Sequence, residues 1–183
     1  MSKKWQLKAE LSALRGQLQA LFENSPDLMF FIDTEGHVTE FDTAAGPILR
    51  YTKDQLQEMQ YVDLFVEGER AGVQERFAQV MQGRAEQFET RLTDVDGVPH
   101  IFEVMAIPTR EGGQIVGAFG VARDISQRKA VEHQLQESEQ RYRALFEGNI
   151  DAVQTYDLEG KFVALNRATE ELIGYSAEEL IGQ

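Results

Sequence analysis

The residues of this chain best equipped for acid–base or metal chemistry are three histidines, at positions 37, 100 and 133. An imidazole changes charge near neutral pH and is the commonest metal ligand. His37 falls in a turn, His100 at a strand start and His133 within a helix, and no second ligand type gathers around any of them. Solvent-facing or hydrogen-bonded structural roles are therefore expected, and no metal site. His133 could be compared with a phosphoacceptor, but Gln134-Leu135-Gln136-Glu137 lacks a Glu-x-x-x-Pro context and no ATP-binding segment is present. Asp33 and Asp42 form the kind of carboxylate pair that general acid–base catalysis uses. Both read as strand-end residues, with no nucleophile or base beside them. Gly112, Gly113, Gly117 and Gly120 resemble a phosphate loop, yet they fall in a turn and a strand with no helix N-terminus to follow. No catalytic residue is expected.

Composition narrows the remaining classes. The chain has 183 residues, a formal net charge of −13 and no cysteine. Disulfides, thiolate metal sites and thiol photochemistry are excluded. The acidic balance repels phosphate backbones, so no nucleic-acid partner is expected; Lys3, Lys4, Lys8 and Arg15 read as a solvated helix face. No apolar run reaches the roughly 18 residues that span a bilayer. A cytoplasmic location without membrane contact is the expectation.

The elements that must position these residues follow from periodicity. Lys3 to Asn24 reads as a helix with Leu7, Leu11, Leu14, Leu18 and Leu21 at alternating four–three spacing, a seam for a partner helix. Asn24-Ser25-Pro26 stops it. Leu28 to Asp33 and Val38 to Phe41 predict a hairpin turned at Thr34-Glu35-Gly36. Thr43 to Tyr51, kinked at Gly46-Pro47, and Asp54 to Met59 predict short helices. Glu67 to Gln82 predicts a longer one with Val73, Phe77, Val80 and Met81 on one face. Gln87 to Thr93, His100 to Thr109 and Gln114 to Arg123 predict three antiparallel strands joined by Asp96-Gly97 and Glu111-Gly112-Gly113. The class is α+β, a sheet burying one face under helices.

Asp124 to Phe146 predicts an amphipathic connector helix. Asp124 and Gln127 have capping-box spacing, and Val131, Leu135, Ser138, Tyr142 and Leu145 form a second seam. The connector joins two copies of one unit. Ala20-Leu21-Phe22-Glu23 recurs as Ala144-Leu145-Phe146-Glu147, an offset of 124 residues. The same offset relates Asp27 to Asp151, Asp33 to Asp157, Gly36 to Gly160, Tyr51 to Tyr175 and Leu56 to Leu180. The second copy stops at Gln183, before its long helix and last three strands, so a piece of a longer protein is expected. The reading divides into a dimerising helix (1–24), a first domain (25–124), the connector (125–146) and the opening of a second domain (147–183).

The Leu-Phe-Glu-Asn-Ser-Pro-Asp opening (Leu21 to Asp27), the hairpin with Asp33 and Gly36, and the closing Gly120, Asp124-Ile125-Ser126 and Arg128 resemble the PAS family. The second copy resembles it through Asn166, Ala168 and Gly174 to Gly182. The first departs with Asp42 for the asparagine and Arg50 for the glycine. The resemblance implies a five-stranded antiparallel sheet with helices on one face enclosing a small cavity, flanked by coiled-coil-type helices. Phe30, Ile32, Phe77, Phe102, Val104 and Phe119 are the candidate wall. Asp124, Ser126 and Arg128 are the candidate relay, with Asp124 paired to Arg128. The implied role is a sensory and dimerising module of a bacterial signalling protein of sensor-kinase or cyclic-di-nucleotide-enzyme type. It would act as a homodimer, taking an unknown small ligand and relaying to an output domain. The alternative is a constitutive dimerisation scaffold. No haem or adduct-forming flavin is expected, because cysteine is absent and the long helix carries no histidine.

Overall fold

The apolar run Leu28-Met29-Phe30-Phe31-Ile32 ends at Asp33, whose carboxylate organises the turn that follows. In the computed structural model, which describes residues 12, 13, 16, 20, 25–41 and 48–183, the run is strand β1 (Leu28–Asp33). Asp33 Oδ1 accepts from the amides of Glu35 and His37, both at 2.9 Å. The chain returns as β2 (Val38–Phe41), antiparallel to β1 with a register shift between Phe31 and Ile32. The N-terminal helix with its seam Leu7, Leu11, Leu14, Leu18 and Leu21, and Asp42 and Gly46-Pro47, lie outside the described residues, apart from the four isolated positions.

Helix α1 (Lys53–Glu58) opens with a capping box between Thr52 and Gln55. Two 3-10 turns, Tyr61–Leu64 and Glu67–Glu69, lead into α2 (Arg70–Met81). The expected helix over 67–82 thus has a tightened first turn. Glu69 explains it: its carboxylate reaches across to β3 (Glu86–Thr93), accepting from Arg91 N at 2.7 Å and pairing with Arg91 Nε at 2.6 Å. Strands β4 (Pro99–Glu111) and β5 (Gln114–Asp124) complete an antiparallel sheet in the order β2-β1-β5-β4-β3. The helices cover one face, and Leu28, Ile32, Val38, Leu49, Tyr61, Phe65, Val73, Leu92, Phe102, Val104 and Ala122 form the core between. β5 pairs with both β1 and β4, so its inward side must be small. Gly120 stands opposite Phe30, whose ring occupies the space a Cβ would need.

The contacts divide the chain into two compact units, Met1–Gln127 and Arg128–Gln183. Helix α3 (Ser126–Glu147) carries the chain into the second. There β6 (Gln154–Tyr156) and β7 (Phe162–Leu165) make a hairpin, followed by α4 (Arg167–Ile173) and α5 (Ala177–Leu180). The repeat holds in detail. The register shift between Thr155 and Tyr156 repeats that of β1, and the Ser176–Glu179 capping box repeats Thr52–Gln55 at the same offset.

Candidate ligand cavity and relay

Alternation puts Leu28, Phe30 and Ile32 on one face of β1, and the register carries that face to Ala118, Gly120 and Ala122 of β5 and to Val104 and Ala106 of β4. Between this face and the helices lies a cavity of about 60 Å³ with an entirely apolar wall. The sheet supplies Leu28, Phe30, Ile32, Val38, Phe41, Phe88, Leu92, Val104 and Ala106; Leu49, Leu56, Tyr61, Leu64, Phe65 and Val73 close it from the helical side.

Of the six candidate wall residues, Phe30, Ile32 and Val104 line the cavity. Phe102 is fully buried in the core on the same side but does not line it. Phe77 packs behind the wall, its ring centroid 4.7 Å from that of Tyr61. Phe119 is a correction. It lies on the opposite face, 4.9 Å from Phe31 between ring centroids and directly across from it in the register. Both faces of β5 are apolar, so its alternation alone does not choose between them; the large ring of Phe30 does, by requiring Gly120 opposite. Tyr61, Leu64 and Phe65 of the helical wall sit in a 3-10 turn and its exit, which leave no periodic signal in the sequence.

Burial pushes the Tyr61 hydroxyl up to about 12, so it stays protonated and cannot serve as a base near neutral pH. Burial raises the Asp33 carboxyl, but the amides of His37 and Glu35 together with the His37 side chain outweigh it and leave the group below its ordinary value. That carboxylate belongs to its turn. Each histidine has a carboxylate neighbour: His37 with Asp33 at 3.3 Å, His100 with Asp94 at 3.5 Å and His133 with Glu137 at 3.8 Å. Among the described residues no group of three or more His, Asp or Glu could hold a metal ion. Gly112 and Gly113 form the β4–β5 turn, and Gly117 and Gly120 lie within β5.

The exit from the sheet is tied down at Ile101. The Ile125 amide donates to Ile101 O at 2.9 Å, and Ser126 Oγ accepts from Ile101 N at 2.9 Å. Asp124 Oδ1 accepts from Ser126 N at 2.7 Å. The contact spans two residues, an Asx-type turn, where the expected capping box would reach Gln127. Arg128 Nε lies 3.9 Å from Glu132. A second tie, without a motif to announce it, is the two-pronged pair from Arg123 Nε and Nη2 to the Asp27 carboxylate at 2.9 and 2.7 Å, fastening β5 to the start of β1.

In the second unit the Asn-x-Ala asparagine is a hub. Fully buried Asn166 accepts through Oδ1 from Val153 N at 2.9 Å and Thr169 N at 3.0 Å. Through Nδ2 it donates to the carbonyls of Phe146, Asn149 and Asp151 at 3.0, 3.3 and 2.9 Å. Only an amide both donates and accepts in this way.

A family model described as the PAS fold matches residues 16–125 and 140–183. The chain belongs to the PAS family. This chain carries one PAS-fold domain followed by a second matched segment. The PAS domain of a protein from Colwellia psychrerythraea is 25% identical with a TM-score of 0.57, covering 62% of this chain and 98% of its own. That of an HTR-like protein from Haloarcula marismortui is 22% identical with a TM-score of 0.57, covering 66% and 98%. A domain of a sensory box sensor histidine kinase/response regulator from Geobacter sulfurreducens is 24% identical with a TM-score of 0.55, covering 62% and 96%. Sporulation kinase E of Bacillus subtilis (strain 168) is 20% identical over 181 residues, or 98% of this chain; the chain spans about a quarter of that relative's length, 24%. No helix among the described residues is long and apolar enough to cross a membrane.

Proposed function

We propose that this chain is the sensory and dimerising part of a bacterial signal-transduction protein, a small ligand in the PAS cavity biasing an output domain through α3. The observation that carries this is the apolar cavity of about 60 Å³ between sheet and helices. At roughly 10–15 Å³ per water on this measure, it holds about four waters or an apolar molecule of a few heavy atoms. That is well below the roughly 300 Å³ at which drug-sized pockets begin. The ligand class this favours is a small apolar molecule, with no haem and no adduct-forming flavin. The lack of cysteine, and of histidine within Arg70–Met81, points the same way.

One further feature supports a relay between copies. Val131, Leu135, Tyr142 and Leu145 form one stripe on α3, exposed by 59, 60, 58 and 70%. A second protomer's helix is the natural cover for such a seam. The downstream partner is an output domain of histidine-kinase or diguanylate-cyclase type, in the cytoplasm, with neither nucleic acid nor membrane engaged by this segment.

The small volume also favours a second reading, a constitutive dimerisation scaffold whose cavity is a packing defect. Mass spectrometry of solvent extracts from freshly purified protein separates the two. A small molecule recovered in proportion to protein supports the sensor. Nothing recovered, together with unchanged amide spectra on titration with small apolar compounds, supports the scaffold. A visible absorption band retained through dialysis would overturn the cofactor assignment.

A further inference from the structure

Arg50 has the left-handed backbone that side chains rarely adopt, at φ 60°, and is the one such non-glycine position among the described residues. The repeat supplies an internal control. The matching position of the second copy is Gly174, at φ 79°, where glycine ends α4 without strain. The backbone therefore does not call for an arginine, and the side chain must explain it. Arg50 Nη2 donates to Asp94 Oδ2 at 2.6 Å and to Asp96 Oδ2, both in the β3–β4 turn. Asp94 is only 4% exposed, and its Oδ1 accepts from the amides of Asp96 and Val98 at 3.0 and 2.8 Å.

The segment that Arg50 fastens is the cover of the cavity. Leu49 and Leu56, on either side of it, are both wall residues. Two lesser bonds join the same segment to the same turn: Val95 N to Leu49 O at 2.9 Å and Tyr51 Oη to Asp94 O at 3.1 Å. We propose that Arg50 is a strap holding the Leu49–Leu56 cover shut against the β3–β4 turn, so that its release gates entry to the cavity. The use of such a gate rests on the cavity being the sensory site. The strap itself is tested whether or not a natural ligand exists.

Hydrogen exchange at the Val95 amide reports the cover directly, because its acceptor is Leu49 O. Loss of the ties to Asp94 and Asp96 is expected to lower protection there at least about tenfold in Arg50→Gly, although glycine relieves the backbone. Amides within the β4–β5 pair should keep their protection, and dissolved xenon should enter the cavity faster, followed through the Leu49 and Leu56 methyl signals. Asp96→Asn, which leaves the Arg50–Asp94 pair in place, should act in the same direction by less. The double variant should do no more than Arg50→Gly alone, since Arg50→Gly already removes both ties. Unchanged or increased protection at Val95 in Arg50→Gly overturns the proposal. So does an equal loss across β4–β5, which would mean general destabilisation, or additive effects in the double variant. Should Arg50→Gly fail to fold, Asp96→Asn decides alone: a smaller loss confined to Val95, deepened by salt that screens the remaining Asp94 pair, supports the strap, and no loss or a uniform one under both conditions refutes it.

Discussion

Leu135→Glu is expected to separate the protomers without disturbing either. Leu135 is 60% exposed, on a helix with no buried residue. A charge there is tolerated in a lone protomer, and far-ultraviolet circular dichroism should not change. In a dimer the four seam side chains lose their remaining exposure. Complete burial of one such side chain is worth about 1.5–3 kcal/mol, so finishing it adds about 1–2 kcal/mol each. Eight side chains give about 8–16 kcal/mol, against about 4–15 kcal/mol lost on association. The midpoints leave a surplus of about 2–3 kcal/mol, so α3 alone supports only a weak dimer, in the millimolar range or weaker. The glutamate removes about 1–2 kcal/mol from each side and brings two like charges into an apolar seam. The sum is at least about 4 kcal/mol, near a thousandfold in Kd. Ser138, the polar member of the seam, gives the converse: Ser138→Leu should tighten the dimer. Sedimentation velocity over a concentration series reads both. A Leu135→Glu variant that associates as strongly as the parent, or a Ser138→Leu variant that associates no more strongly, refutes the seam.

Three other outcomes are expected. Asn166→Asp keeps the shape and the acceptor but sets an oxygen against three carbonyls, costing about 2–4 kcal/mol; exchange at Val153 and Thr169 should accelerate, more at neutral pH than in acid, and unchanged exchange would show the hub to be redundant. Arg50 is the main cause, with the amides of Val98 and Asp96 helping, of an Asp94 carboxyl held at about 2, against an ordinary 3.8, in spite of its burial. A depressed carboxylate stabilises the fold fully above its unfolded value and loses that contribution as pH falls through its folded one. Urea stability should therefore fall between about pH 4 and pH 2, and Asp94→Asn should flatten that limb; an identical slope in the variant places the acid sensitivity elsewhere. Ser126→Ala removes the side-chain bond to Ile101 and should speed exchange at the Ile101 amide about fivefold to tenfold, about 1 kcal/mol, with no change meaning that Ile125 alone holds the junction.

How much of this was legible in the sequence depended on whether the signal was local. β1 and β2 have the expected bounds because an apolar run, a carboxylate that gathers two turn amides and Gly36 all lie within fourteen residues, 28–41. The second copy repeated the hairpin and cap because Asp157, Ser176 and Glu179 preserve the same chemistry. What the sequence concealed was cross-chain. The first turn of α2 tightened because Glu69 is drawn to Arg91, far away in sequence. Phe119 faces outward because Phe30 needs Gly120 beneath it. Asp124 takes the nearer amide of Ser126, and the strap on Arg50 depends on partners 44 and 46 residues away. Composition excluded chemistry, and periodicity found the sheet. Only the register chose which face encloses the cavity.

A relay along α3 would depend on helical phase. One residue inserted after Gln134 turns everything downstream by about 100°, moving Leu135, Tyr142 and Leu145 off the line set by Val131. Seven inserted residues return the phase to within about 20° while lengthening the helix by about 10 Å. The measurement is output activity, with and without the ligand, in protein carrying a kinase or cyclase module downstream of Gln183. The single insertion should abolish or invert the response, and the seven-residue insertion should largely keep it. Equal responses from both would contradict the relay and leave α3 a passive tether.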